Sequence, residues 1–197
     1  LLARLLLRVS VRGVEQAPAT GPLLVTMNHL GGADPFLCLA YLPRRLVIAG
    51  KREVLDWPIL GPLARAYGMI PLRRGEPDRA TLKLMLDRLA GGAALLIAPE
   101  GRESHTGALE AGKTGAAFLA LHAGAPILPV ALTGTAWATV LPTWKRLRRP
   151  AITLTVGPPY HLPPGLPRRA AADEIMRRLA ALLPPEYQGV YAALAAL

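Results

Sequence analysis

The sequence predicts a single-domain α/β fold: a mixed, mostly parallel central sheet covered by helices. Three observations carry this. Short apolar runs alternate with amphipathic segments of helical length along the chain, the pattern of strands buried on both faces beneath covering helices. Glycines and prolines punctuate these segments. The length of 197 residues suits one compact domain with a sizeable core, and there is no internal repeat.

In chain order, residues 23–28 (LLVTMN) follow Gly21-Pro22 and read as a buried strand. Asp34-Pro35 opens a helix to about Leu42, because Asp serves as an N-cap and Pro suits a first turn. A second strand covers 46–49. A helix covers 57–67 in spite of Pro58 and Pro62, and a third strand covers 69–72. The clearest helix spans 78–90, with Leu82, Met85, Leu86 and Leu89 on one face and Gly91-Gly92 as its stop. Strand 93–98, helix 113–123, strand 127–132 and strand 152–156 follow. A closing helix over 171–183 is amphipathic on Ile175, Leu179, Leu182 and Leu183. The proline-rich stretch 158–167 reads as a connector to it.

Composition narrows the partners. Hydrophobic residues make up 52% of the chain and mean hydropathy is +0.31, yet no apolar run reaches the roughly 18–20 residues of a spanning helix. The excess apolar surface belongs to the core, to a greasy pocket, or to a face on lipid. Net charge is +10, and lysine contributes only Lys51, Lys83, Lys113 and Lys145 to the basic side. A surplus rich in arginine favours phosphate-bearing partners. Nucleic acid is not among those expected, since the ten aromatics are not interleaved with the basic runs as a stacking platform requires.

Leu2, Leu5, Leu6 and Val9 recur at helical spacing with Arg4 and Arg8 opposite. This predicts a basic amphipathic helix over residues 1–12 lying on an anionic membrane surface; a terminal helix docked on the protein's own core is the alternative. The Arg146 to Arg149 cluster also suits anionic lipid. The lone Cys38, in an apolar run, reads as a buried structural thiol in a reducing setting. The four scattered histidines lack metal-ligand spacing.

Four blocks carry chemistry. In Asn28-His29-Leu30-Gly31-Gly32-Ala33-Asp34 a histidine ends a strand and an aspartate starts a helix. The turn between them contains two glycines and folds tightly enough for carboxylate to reach imidazole. An aspartate on one ring nitrogen fixes the tautomer and leaves the other nitrogen as a base; an N-cap and a strand-end histidine explain the same residues without chemistry. Gly68 to Gly75 is a short strand running into Arg73 and Arg74, a pair suited to gripping phosphate bidentately. Pro99-Glu100-Gly101-Arg102 lies beyond the carboxyl end of a strand, where ligands gather in open α/β sheets. Lys113 sits at the head of a helix, where a cation gains nothing from the macrodipole. Last comes the apolar strand 126–132.

In this order and spacing the blocks resemble the glycerophospholipid acyltransferase family, particularly its bacterial 1-acyl-sn-glycerol-3-phosphate acyltransferases. That family carries Asn-His-x4-Asp, Gly-x5-Arg, Pro-Glu-Gly-Thr-Arg-Ser and a proline-rich apolar strand. The matching stretches here are 28–34, 68–74, 99–104 and 126–130, and the likeness runs from about Gly13 to Tyr191. The resemblance implies a glycerol-3-phosphate acyltransferase-like fold, with an acyltransferase domain over 13–191. It implies a general base, His29, oriented by Asp34, with Arg73, Arg74, Glu100, Gly101, Arg102 and Lys113 binding substrate. The implied reaction moves a fatty-acyl group from acyl-CoA or acyl-carrier protein to lysophosphatidic acid, giving phosphatidic acid for phospholipid biosynthesis. It needs no cofactor or metal, and places the protein peripherally on the cytoplasmic face of the cell membrane.

One departure bears on the acceptor. The family's Thr-Arg after Glu-Gly is Arg102-Glu103 here, so an acid occupies the usual place of the arginine. Either Arg102 swings in to replace the missing guanidinium, or the acceptor carries its charge differently. Another lysolipid or glycolipid acceptor therefore stays open, as does a non-catalytic anionic-lipid-binding protein.

Overall fold

The computed structural model describes residues 6–58, 60–72 and 79–194. Among these, seven strands form one sheet in the order β1-β7-β6-β2-β5-β3-β4. The strands are β1 (Arg8–Arg12), β2 (Leu23–Met27), β3 (Leu46–Lys51), β4 (Ile70–Leu72), β5 (Ala94–Ile97), β6 (Ile127–Thr133) and β7 (Ala151–Val156). The helices are α1 (Asp34–Tyr41), α2 (Leu60–Tyr67), α3 (Arg79–Ala90), α4 (Gly115–Ala123), α5 (Trp137–Lys145) and α6 (Arg168–Ala180). Strands β2 to β6 are mutually parallel, whereas β7 runs antiparallel to β6 and carries β1 parallel to itself. The predicted single α/β domain with a mostly parallel sheet is the fold observed.

The central strands are almost wholly apolar, with Thr26 of β2 buried among them, because both of their faces are covered. Leu23, Val25 and Met27 of β2 face one layer, where Leu37 and Cys38 of α1 pack. Leu24 faces the other, against Met85 and Leu89 of α3, the small face of α4, and Ile175 of α6. Four buried residues of α4, three of them alanines, let this helix lie close to the sheet. Cys38 is fully buried, and burial pushes its thiol well above the usual range. It is thus an inert core thiol.

Three expectations change. The helix expected over 1–12 is not formed at Arg8–Arg12, which are edge strand β1; residues 1–5 lie outside the described residues. Arg8, Ser10 and Arg12 alternate with Val9 and Val11, a period of two. Strand pairing with β7 satisfies backbone groups on both strands, and Val9 and Val11 pack on the core. The sheet therefore begins before residue 13. Residues 52–56 form a 3-10 turn, and only Leu60–Tyr67 of the expected 57–67 helix is α-helical. Helix α5, unread in the sequence, carries Pro142 and has a single buried residue, Val140.

Asn28, 1% exposed, ends β2 by replacing a strand residue's backbone with its side chain. Its amide donates to the Leu132 carbonyl at 2.9 Å and accepts from the Leu132 N–H at 2.7 Å. Asn28→Ala leaves both groups buried and unpaired, each costing about 1–3 kcal/mol. We expect a loss of about 2–4 kcal/mol of stability, read from urea unfolding midpoints.

Candidate active site

Because β2, β3, β5 and β6 are parallel, their carboxyl ends fall along one edge of the sheet, and the His29–Asp34 and Glu100–Arg102 blocks meet there. A groove of about 460 Å³ opens at this edge, within the range of small-molecule sites. His29, Gly32, Gly101, Arg102 and Glu103 line it, along with the apolar Phe36, Ile48, Trp57, Leu60 and Leu72. Arg73 and Arg74, expected to bind substrate, lie outside the described residues.

His29 and Asp34 meet as their spacing predicts. The imidazole Nδ1 is 3.0 Å from Asp34 Oδ2. That oxygen also accepts the Leu30 N–H at 2.7 Å and the Gly31 N–H at 2.8 Å. Asp34 is fully buried, while the His29 side chain keeps 15% exposure toward the groove. With Nδ1–H donating to Asp34, Nε2 is the ring nitrogen left without a hydrogen bond among the described residues. One detail differs from expectation. Asp34 is not an N-cap: Ala33 is, and no side chain caps the helix. The Leu30 and Gly31 N–H groups point inward to the carboxylate. The turn needs glycine at Gly31, where a Cβ would collide with the Thr135 carbonyl.

Glu100, just beyond the end of β5, holds His29 in place from the neighbouring strand. Its Oε1 accepts the His29 N–H at 3.1 Å and its Oε2 accepts the Glu110 N–H at 2.9 Å. The Ser104 N–H donates to the His29 carbonyl at 2.7 Å, so the backbone of His29 is bonded on both sides by the 100–104 loop. Glu100 is 3% exposed. Burial pushes its carboxyl up to about 7, against the opposing pull of the Glu110 and His29 N–H groups. Glu100 therefore positions; it does not face the groove as a ligand group.

The other expected residues gather nearby with varied roles. Arg102 lines the groove, but its Nε and Nη2 bond Glu110 Oε2 at 3.1 and 2.6 Å. It is tied back, not swung into the place of the family arginine. Gly101, at φ 73°, leaves room for Lys113, whose Nζ would lie 3.1 Å from a Cβ there. Lys113 is exposed, and its N–H donates to the Pro99 carbonyl at 2.8 Å. Glu103 lines the groove half-buried, beside Gly32, and has no hydrogen bond or ion pair among the described residues. Sequence reasoning missed Glu110. The His105 N–H first, and then Arg102, hold its carboxyl below the usual range. It lies in an irregular loop, so no periodicity marks it.

With this geometry in view, the comparisons with known proteins give a class. The Acyltransferase family model matches residues 8–133, and the chain belongs to that family. Among its relatives is a chloroplastic 1-acyl-sn-glycerol-3-phosphate acyltransferase of Arabidopsis thaliana, 29% identical over 139 residues. The match covers 69% of this chain and 38% of the relative. A lyso-ornithine lipid O-acyltransferase of Rhodobacter capsulatus is 42% identical over 96 residues, covering 48% of this chain and 33% of the relative. The chain thus spans less than half the length of these relatives. The crystal structure of the 1-acyl-sn-glycerophosphate (LPA) acyltransferase of Thermotoga maritima shares the fold. Its TM-score is 0.69 at 22% identity, over 88% of this chain and 71% of that one.

Glu100 also makes stability depend on pH. Its folded value of about 7 lies above the ordinary 4.5, so the folded protein binds more protons between these values. Stability from this group is full below about 4.5 and is lost as pH rises through about 7. Glu100→Gln cannot titrate. The stability difference should therefore move in favour of the variant as pH rises across that interval, read from unfolding midpoints at each pH. A difference that stays flat contradicts the raised value.

Proposed function

We propose that the protein transfers a fatty-acyl group from acyl-CoA or acyl-carrier protein to the free hydroxyl of lysophosphatidic acid, by general-base catalysis. The observation that carries this is the His29–Asp34 pair, with Nδ1 held at 3.0 Å and the imidazole open to an apolar-walled groove. The hydroxyl proton passes to Nε2 as the oxygen attacks the thioester carbonyl. The resulting imidazolium is stabilised by Asp34 and returns the proton to the departing thiolate. Product is the acylated lipid plus free thiol, with no covalent enzyme intermediate. Phe36, Ile48, Trp57 and Leu72 give the groove the apolar surface an acyl chain needs. Relatives named as 1-acyl-sn-glycerol-3-phosphate acyltransferases support the acceptor. In this reading Arg73 and Arg74, which follow β4 directly, hold the acceptor phosphate, and Lys113 beside Gly101 adds charge nearby.

The reading places the protein peripherally on the cytoplasmic face of the cell membrane. Among the described residues, no helix is long and apolar enough to cross a membrane. His29→Ala should reduce thiol release by about 10²–10⁴-fold in a purified assay with a lysolipid acceptor, with vesicle binding unchanged. Full turnover in that variant removes the base mechanism. No thiol release from the parent with any acceptor leaves a non-catalytic lipid-binding protein.

A second acceptor reading rests on Glu103. A half-buried carboxylate without a partner, beside Gly32 in the groove, repels a phosphate and suits an ammonium group. Relatives named lyso-ornithine lipid O-acyltransferase point the same way. Under this reading a zwitterionic, amine-bearing lysolipid is the better acceptor. Glu103→Arg should then raise its KM and lower that of lysophosphatidic acid, by about three- to fivefold each. Equal KM values for both acceptors in parent and variant remove Glu103 from acceptor choice.

A further inference from the structure

Helix α5 is built the wrong way round for a helix that serves only its own core. Trp137, Leu141 and Trp144 stand at i, i+4 and i+7, one stripe of the helix, and are 47%, 47% and 37% exposed. Only Val140 faces inward. The stripe does not end with the helix. In the turn beyond, Leu147 adopts φ 54° and is 98% exposed. A leucine in left-handed conformation is strained, and here the strain presents an apolar side chain to solvent. Lys145, Arg146 and Arg148 flank it, all exposed.

Topology sets this apolar and basic strip beside the catalytic edge. Helix α5 leaves the carboxyl end of β6, and β7 turns back antiparallel from it, Thr133 pairing with Thr153. The start of β1 lies alongside, Arg8 beside Ala151. The Trp144 indole N–H donates to the Leu6 carbonyl at 3.1 Å, tying the far end of α5 to the chain entering β1. At the near end, the Trp137 ring lies 3.5 Å from where a Cβ on Gly32 would stand, and Gly32 lines the groove.

We propose that α5 and the turn to Leu147 form the surface on which the protein docks to an anionic bilayer. Leu141, Trp144 and Leu147 enter the headgroup layer, and Lys145, Arg146 and Arg148 rest on lipid phosphates. Indole rings favour that interface, and each basic residue near an anionic surface adds to the attraction. Charge complementarity selects this occupant: an apolar stripe edged by cations fits neither a second basic copy of this chain nor an uncharged apolar partner. The geometry deepens the proposed reaction, since docking brings the groove mouth beside Gly32 to the layer that holds the lipid acceptor.

The test uses the full chain with vesicles of one-third phosphatidylglycerol in phosphatidylcholine, and with phosphatidylcholine alone. The parent should sediment with the anionic vesicles and be released at high salt. Leu141→Ser/Leu147→Ser and Arg146→Glu/Arg148→Glu should each cut the bound fraction about tenfold. Both variants should retain parental turnover of a short-chain, monomeric substrate pair, which also shows that they fold. Variants that bind like the parent overturn the proposal, as does a parent that ignores anionic vesicles. A parental dimer that becomes monomeric in Leu141→Ser/Leu147→Ser, without vesicle binding, assigns the face to a second copy and also overturns it. Vesicle binding as expected, with no turnover of any acceptor, sinks the reaction and leaves the docking surface standing.

Discussion

The carboxyl edge of the sheet depends on one buried group, the Glu100 carboxylate. It reaches from the end of β5 to the His29 N–H at the end of β2, and its second oxygen holds the Glu110 N–H. One side chain thus joins two strand ends and the loop that walls the groove. Burying a carboxylate is costly, and burial pushes its titration up to about 7. Two backbone donors offset part of it. The return is a histidine whose backbone is held by Glu100 on one side and Ser104 on the other, so that the imidazole alone has to be aimed.

Aiming is left to Asp34, whose Oδ2 gathers three partners. The oxygen that accepts from His29 also collects the Leu30 and Gly31 N–H groups. In the proposed reaction these donors stabilise the carboxylate that faces the imidazolium, and do not meet the oxyanion directly. The same economy governs Arg102, whose guanidinium is committed to Glu110. Among the described groove residues, Glu103 is the one left with an uncommitted charge beside the catalytic turn. In the proposed reaction, acceptor choice turns on this carboxylate and on Arg73 and Arg74, which follow β4 in the sequence.

The reversal of β7 and β1 gives the edge its second property. Had β7 continued parallel, its start would lie at the opposite end of the sheet. Running antiparallel to β6, it returns α5, the entry to β1 and the basic turn at Leu147 to the side where the groove opens. A surface strip and a catalytic turn become neighbours through strand direction alone.

The sequence by itself determined a good deal. Apolar runs of strand length marked the interior strands β2, β5 and β6, because strands covered on both faces leave little place for polar residues, and the alternation of residues 152–156 marked β7. The spacing of His29 and Asp34 across two glycines determined their contact, since a turn that short has few ways to close. The clear periodicity of residues 82–89 placed α3. Tertiary structure decided what local pattern left ambiguous. Residues 8–12 suit a helix or a strand, and the open edge of β7 chose strand. Helix α5 has a solvent-facing apolar stripe and an internal Pro142, so no rule of burial announces it. Glu100 reads in sequence as a ligand-facing acid at a strand end. Only the approach of β2, 71 residues away along the chain, turns its carboxylate inward to hold His29, because pairing between distant strands is what local sequence does not encode.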